Sequence, residues 1–355
     1  MNINKGKTKT IFAIFLLWVL ASPVPLSHAI KYKIVELGIE GTQSSAWALN
    51  DRGQIVIYQD HTILLYDKGS ITNVTELYNL DSGYYGPNGF AINNRGQIVT
   101  NDSDGNAVRM SRMIVDNLNT LNAPLSTALG INDAGQVVGE YWDNEYFPSA
   151  FLYQEGEMKD LGTGKNSGAN AVNESGMIVG WYAPEGHYQT FLFFNGVIKN
   201  ISPFGSQQSL GYDINNRGQV VGEFLTEDGS AIHAFLYDKG VATDLGLLSG
   251  SYSTALAIND RGDIVGSSSA LVGTEIICPP NGHCRTYPKY SDHAFLYRQG
   301  VLSDLNNFIP GDSGWELIAA YDINNRGQIV GVGYYNGEQR GFLLTPATGS
   351  ERIKR

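Results

Sequence analysis

The sequence predicts an all-β fold: a seven-bladed β-propeller of four-stranded antiparallel blades, closed by an N-terminal d strand pairing with a C-terminal c strand. The first supporting observation is a phrase that occurs seven times. An apolar pair is followed by Asn, two polar residues, Gly, a polar residue and a β-branched pair, as in Ala48-Leu49-Asn50-Asp51-Arg52-Gly53-Gln54-Ile55-Val56. The other copies centre on Asn93, Asn132, Asn173, Asn215, Asn259 and Asn324, at intervals of 43, 39, 41, 42, 44 and 65 residues. A period of about 40 with strand-like punctuation marks stacked supersecondary units. The second observation is that each unit holds four short strands. The third is that the two ends complement each other.

Unit 5 shows the elements in order. Gly211 to Asn215 reads as strand a, and Asn215-Asn216-Arg217-Gly218 as a type I turn ending in a left-handed Gly, with the Asn side chain bonding local backbone. Gln219 to Gly222 is strand b, His233 to Tyr237 strand c, and Val241 to Gly246 strand d after the turn at Lys239-Gly240. Four such strands make one propeller blade. A lone d strand, Lys33 to Gly38, opens the fold, and a c strand, Gly341 to Thr345, ends it. Joined, they complete blade 7 and remove both free sheet edges. Blade 2, around Ala107 to Leu118, matches the pattern least well.

Lys5, Lys7 and Lys9 precede an apolar run from Ile11 to Ala21, and Ser27-His28-Ala29 supplies small residues for cleavage. This predicts a signal peptide over 1–29, the propeller over 30–348 with an insertion loop at 267–292, and a tail over 349–355. The run is too short to span a bilayer, which takes about 20 residues, so no membrane span is expected after cleavage. Loss of the three leader lysines takes the net charge from −11 to −14. Such a surface disfavours nucleic acid and anionic lipid, which reward Lys/Arg clusters. The product is expected to be secreted, periplasmic or on the cell surface, and monomeric.

Cys278 and Cys284 are six positions apart within the insertion. Export favours a disulfide closing a small loop. Zinc is the alternative, with His283 and His293 nearby, although structural zinc wants four ligands at tighter spacings.

His233-Ala234-Phe235-Leu236-Tyr237 and His293-Ala294-Phe295-Leu296-Tyr297 carry the triplet of the HAF repeats, found in extracellular repeat proteins. Asp160-Leu161-Gly162 and Asp244-Leu245-Gly246 resemble that family's DLG segment. The stretch from Asp304-Leu305-Asn306 through Ser313-Gly314-Trp315 to Gly341-Phe342-Leu343-Leu344-Thr345-Pro346 is similar to its terminal repeat. The resemblance covers Tyr32 to Pro346. Ser149 and Thr190 replace the His in blades 3 and 4, and blades 1 and 2 lack the triplet. The resemblance implies export and repetition, and no activity.

In a propeller the a–b and c–d turns share one face, and the b–c and d–a loops the other. Here the first set is uniform and tight, while the second varies in length and is rich in aromatics. Function on repeat folds gathers where insertions accumulate. The candidate binding residues are Trp142 and Tyr146 of blade 3, Trp181 and Tyr188 of blade 4, Tyr287 of blade 6, Tyr334 of blade 7, and Tyr84, Tyr252 and Trp315 of the d–a loops. Such aromatics suit stacking on sugar rings and also protein hot spots. Glu140 and Glu223 follow strand b at the same face. A carboxylate pair about 5 to 10 Å apart would suit glycoside hydrolysis.

Other motifs are set aside. Gly311-Asp312-Ser313-Gly314 spells a serine-protease nucleophile segment but has no accompanying base segment. Asn101 to Asn106 alternates oxygen-bearing side chains but lacks the distal Glu of a calcium loop. Arg52, Arg95, Arg217, Arg261 and Arg326 stand in the Asn turns where calcium would want an acid. No metal or cofactor is expected. The leading expectation is therefore a non-enzymatic, exported binding module for a glycan or protein. The alternatives are a polysaccharide hydrolase or lyase using Glu140 and Glu223, and a scaffold with no small ligand.

Overall fold

The computed structural model describes residues 31–39, 41–78, 80, 90–278 and 284–347. The expected leader, Tyr84, His283 and the expected tail lie outside the described residues. The chain from Lys31 onward forms one compact unit. Its strands make seven four-stranded antiparallel sheets, the seven blades of a β-propeller. The innermost a strands, running Ser44–Leu49, Ala91–Ile92, Leu125–Ile131, Ser167–Val172, Ser209–Ile214, Ser253–Ile258 and Trp315–Ile323, contact one another in a closed cycle. Blade 7 is completed as expected: Tyr32–Leu37 pairs antiparallel with Glu338–Pro346, from Tyr32 against Pro346 to Leu37 against Gly341. Among the described residues no helix is long and apolar enough to cross a membrane.

The core lies between blades. Val221, Ala234 and Leu245 of blade 5 pack on Ala255, Ile258, Ile264 and Phe295 of blade 6. Leu37, Val330 and Leu343 of blade 7 close on Ala46, Leu49 and Ile57 of blade 1. Within a blade, one pairing of strands b and c recurs. Gly139 opposes Phe151, Gly180 opposes Phe191, Gly222 opposes Phe235, Gly266 opposes Phe295 and Gly331 opposes Phe342. All five Phe rings are fully buried, and each lies where the missing Cβ leaves room. A Cβ on Gly139, Gly222 or Gly331 would stand 2.8 to 2.9 Å from the ring. Blades 1 and 2 solve the same volume differently, with Ile57 against Leu64 and Thr100 against Val108. A larger b residue excludes the ring, so the absence of the HAF triplet from these two blades follows from packing.

The His and Asp of the two repeated segments meet. His233 Nδ1 lies 2.8 Å from Asp244 Oδ2, and His293 Nδ1 lies 2.7 Å from Asp304 Oδ2. In blade 3, where Ser149 replaces His, the Tyr141 hydroxyl donates to Asp160 instead, at 2.6 Å. The second nitrogen of His293 reaches Glu316 of blade 7 at 3.7 Å. The hydrogen bond to Asp304 raises the pKa of His293. Burial would raise Asp304, but His293 and the backbone N–H of Asn306 outweigh it and hold that carboxyl low.

The His293 contribution is complete below the unfolded value of about 6.5 and is lost as pH rises through the folded value. The Asp304 contribution is present above about 3.9 and is lost as pH falls through its own. The pair is strongest between these limits. The melting-temperature difference between wild type and His293→Gln should correspond to about 1–2 kcal/mol at pH 5.5 and shrink at pH 9. Thermal melts at the two pH values check this, and a difference that grows with pH would refute the assignment.

The insertion at 267–292 is not a loop. Ile264–Ile277 and Arg285–Arg298 are two 14-residue strands that continue the blade 6 hairpin outward as a two-stranded ribbon. Residues 271–277 and 285–290 are all solvent-exposed. An isolated ribbon is marginally stable in water, and here the tip is clamped by the Cys278–Cys284 disulfide. Alternation along the strands explains why this reads as a loop in sequence but holds as a hairpin. Leu271, Thr274, Ile276, Thr286, Pro288 and Tyr290 share one uncharged face, and Glu275, Arg285, Tyr287 and Lys289 share the other.

Candidate functional site

The Asn turns do more than reverse the chain. In each, the Gly N–H bonds back to the Asn carbonyl at 2.9 to 3.0 Å, with Gly φ between +75° and +86°. The Asn side chain accepts local N–H groups, as Asn215 Oδ1 does from Arg217 and Gln219. Its amide also donates to the carbonyl of the corresponding Asn in the next blade. The chain of donations runs Asn50 to Asn93, Asn132, Asn173, Asn215, Asn259, Asn324 and back to Asn50, at 2.9 to 3.1 Å. The following residue repeats the scheme from backbone N–H to side-chain oxygen through Asp51, Asn94, Asp133, Glu174, Asn216, Asp260 and Asn325. Two closed cycles of seven hydrogen bonds therefore fasten one face around the axis. The mouth they enclose, about 170 Å³, is lined among the described residues by four carboxylates and no Lys or Arg. The turn arginines are exposed, and Arg217 and Arg326 reach across the turn glycines Gly262 and Gly53.

The opposite face carries the expected aromatics in several separate places. Tyr146 is 72% exposed at the tip of the blade 3 b–c turn, which Lys165 pins through Asp143 and Glu145 while lying 5.1 Å from the Phe147 ring. Trp142, Trp181, Trp315 and Tyr252 are half-buried, and Tyr188, Tyr287 and Tyr334 are exposed. Trp181 meets Tyr188 edge-on at 5.3 Å, and Trp315 stacks on Tyr335 at 5.1 Å. Trp181 and Glu140 both lie against Gly168, whose absent Cβ would stand 2.8 and 2.7 Å from them. Tyr188 and Glu223 line one small cleft with Leu210 and Ile232.

Glu140 and Glu223, read from sequence as a candidate carboxylate pair for hydrolysis, do not come together. Glu140 sits in the crevice between blades 3 and 4, where burial raises its pKa to about 7. Glu223 sits between blades 5 and 6, among the hydroxyls of Tyr212, Tyr252 and Thr254, and burial raises it too. Blade 4 separates them. Strand b points this position sideways into the neighbouring blade, so two such residues two blades apart face different crevices.

The residues that line the axis come from irregular positions of the a strands. Six of the a strands carry a β-bulge, three residues before the turn Asn. A bulge re-aims a side chain. The bulged residues Trp47, Leu129, Asn170, Tyr212, Leu256 and Tyr321, with Phe90 of blade 2, line a second axial cavity of about 260 Å³. Trp47 and Tyr321 stack there at 4.3 Å with planes 6° apart. One residue on, Ala48, Ala91, Gly130, Ala171 and Ala257 are small, but blades 5 and 7 place Asp213 and Asp322. Asp213 accepts the N–H groups of Ile214 and Ile258, and Asp322 those of Ile323 and Leu49, each tying its blade to the next. Burial raises Asp322 to about 7, reinforced by Asp213, and burial raises Asp213 to about 6. The departure of these two positions from Ala or Gly was the available signal.

No family model and no curated protein matches the chain. Solved structures do. One is the extracellular domain of a one-component system from B. thetaiotaomicron, with TM-score 0.51, 13% identity, and coverage of 90% of this chain and 40% of that one. The chain thus spans about two fifths of that domain's length. YCF48 bound to a D1 peptide matches at TM-score 0.49 and 12% identity over 91% of this chain and 97% of its own. A TolB from Agrobacterium tumefaciens matches at 0.49 and 9% over 86% and 100%. At such identities the likeness is one of fold, the β-propeller.

Proposed function

We propose that the chain is an exported, non-enzymatic binding module of the HAF-repeat type, engaging a glycan or protein partner through its b–c/d–a loop face. The observation that carries this is the asymmetry of the two faces. One is fastened by two hydrogen-bonded cycles of uniform turns. The other presents exposed Tyr146, Tyr188, Tyr287 and Tyr334 together with a ribbon whose uncharged face is open to solvent. Exposed aromatics on a rigid scaffold are the residues that dominate recognition surfaces. The disulfide supports an oxidising, extracytoplasmic compartment. The His–Asp and Gly–Phe pairs give the HAF resemblance a physical content, since each repeated residue has a packing role. The uncharged ribbon face favours a protein over a glycan.

The test is binding of residues 30–355 to a glycan array and, in parallel, to candidate envelope proteins, with a Trp142→Ala/Trp181→Ala double variant and a Leu271→Asp/Ile276→Asp ribbon variant. Binding lost at least tenfold in a variant that keeps its melting temperature supports the loop face. Full binding retained by both variants would move the partner elsewhere. Glycan binding lost only in the tryptophan variant would favour the glycan over the protein.

A further inference from the structure

We propose that a recess between blades 4 and 5 docks a segment of a partner polypeptide, one that presents a bulky apolar side chain beside a Lys or Arg. The site lies on the loop face and rests on the reading of that face as the binding surface. Two loops enclose it. One runs from the d strand Val197–Asn200 of blade 4 to the a strand Ser209–Ile214 of blade 5, and the other joins Val220–Leu225 to Ile232–Asp238 within blade 5. The recess holds about 450 Å³, with Phe204, Phe224 and Leu225 on its apolar side and Gln207, Thr226 and Glu227 on its polar side.

The feature that points to a ligand is Phe204. It has φ +53° and ψ +21°, a left-handed conformation that a bulky residue adopts only at a cost. Blade 3 shows that the loop needs no side chain there. Ile201 N–H bonds to the Thr190 carbonyl as Leu161 N–H bonds to that of Ala150. Three residues after each comes the left-handed position, Phe204 in blade 4 and Gly164, at φ +82°, in blade 3. Packing offsets little of the cost, because Phe204 stays 59% exposed while its ring rests 5.0 Å from that of Phe224, itself 5% exposed.

Both loops are held before any partner arrives. Leu225 N–H bonds to the Gln208 carbonyl at 2.8 Å, and the Ser206 hydroxyl donates to the Leu225 carbonyl at 2.8 Å. Across the recess, Thr226 N–H bonds to the Ala231 carbonyl at 2.9 Å, and Asp228 accepts from the Thr226 hydroxyl at 2.7 Å and Ser230 N–H at 3.1 Å. A site ordered in advance loses little freedom on binding.

The walls select the partner. The apolar side suits an aromatic or large aliphatic anchor. Glu227 is exposed on the rim, and beside it the Asp228 carboxyl is held down to about 2 by the Thr226 hydroxyl and Ser230 N–H. Among the described residues no Lys or Arg lines the recess, so a cation next to the anchor meets attraction alone. Phe224 and Leu225 also wall the small cleft that holds Tyr188 and Glu223, and an extended chain can seat alternate side chains in the two depressions. The Phe204 and Phe224 rings are tilted 48° to each other, which leaves no flat platform for a sugar.

The experiment is selection of a displayed library of random linear peptides on the full chain, followed by titration of the enriched peptides against wild type, Phe204→Asn and Glu227→Lys. Asparagine takes up the left-handed region readily, so Phe204→Asn should keep or raise the melting temperature. Enriched peptides should carry a bulky apolar residue beside Lys or Arg and bind both variants at least about tenfold more weakly. Added salt should weaken them further. No enrichment, an acidic residue beside the anchor, or equal binding to both variants would overturn the proposal. So would a Phe204→Asn variant that melts lower and binds as before, which would make the ring a packing element. Peptides lost only in the ribbon or tryptophan variants would overturn the recess and leave the loop face standing. Binding indifferent to all four variants would overturn both.

Discussion

Replacing Gly222 with Ala should lower stability by more than about 3 kcal/mol, among the largest effects of any single methyl in this chain. The added Cβ would stand 1.9 Å from the Leu210 carbonyl oxygen and 2.9 Å from Cε1 of Phe235. The first contact is with the backbone of the paired a strand, so no rotamer change relieves it. The strands must part, and the a strand they disturb lines the channel. For a domain of this size the midpoint should fall by roughly 4 °C or more. A Gly222→Ala/Phe235→Leu double variant imitates the large-against-medium pairing of Ile57 with Leu64. It should recover only part of the loss, because the carbonyl contact persists. Full recovery would show that ring overlap alone sets the cost, and an unchanged midpoint for Gly222→Ala would contradict the packing account.

Asn215→Ala should cost a similar amount, about 3 kcal/mol, by a different route. One side chain accepts from Arg217 N and Gln219 N, both at 3.0 Å, and donates to the Asn259 carbonyl at 3.0 Å and to Gln219 Oε1 at 2.8 Å. Asn215 is buried, so the groups it leaves have no ready replacement. Asn215→Asp separates the two roles. It preserves the acceptors that shape the turn but sets an oxygen against the Asn259 carbonyl. If the link between blades matters, Asp should be as damaging as Ala in a denaturant or thermal melt. If Asp restores wild-type stability, the Asn serves its own turn only.

The blade count, the strand order and the closing pair were legible because they rest on local signals: a turn residue, a Gly three places on, and alternation of apolar residues. The reach of Asn50 to the carbonyl of Asn93 was not, because its partner lies 43 residues away and becomes adjacent only when the ring forms. The same holds for the site. Trp142 and Trp181 could be placed on a face from their position after strand b. Trp47 and Tyr321 could not be placed in the channel, since the bulge that turns them inward shifts the alternation by one residue. Glu140 and Glu223 misled for a related reason: recurrence at one repeat position implies equivalent surroundings and not proximity. The ribbon was hidden by composition, as Gly273, Pro279 and Pro280 read as a loop while the residues beside them alternate faces.

The seam of blade 7 has a consequence in time. Arg340 bonds Glu36 across 304 positions of sequence, and Ser44 of blade 1 accepts from Gly341 N close by. Every other hairpin can zip as its residues leave the ribosome, while Tyr32–Leu37 must wait for nearly the whole chain before its partner exists. Until then six sheets stand in an open arc with both flanks bare, the period of greatest exposure to misassociation. Once latched, the ring cannot unravel from its first or last strand, because Tyr32–Leu37 and Glu338–Pro346 lie in the same sheet. Moving the chain break to the ribbon tip by circular permutation would make this latch an ordinary neighbour contact and hand the late closure to blade 6, where Ile264–Ile277 would then have to meet Arg285–Arg298 across the length of the ring.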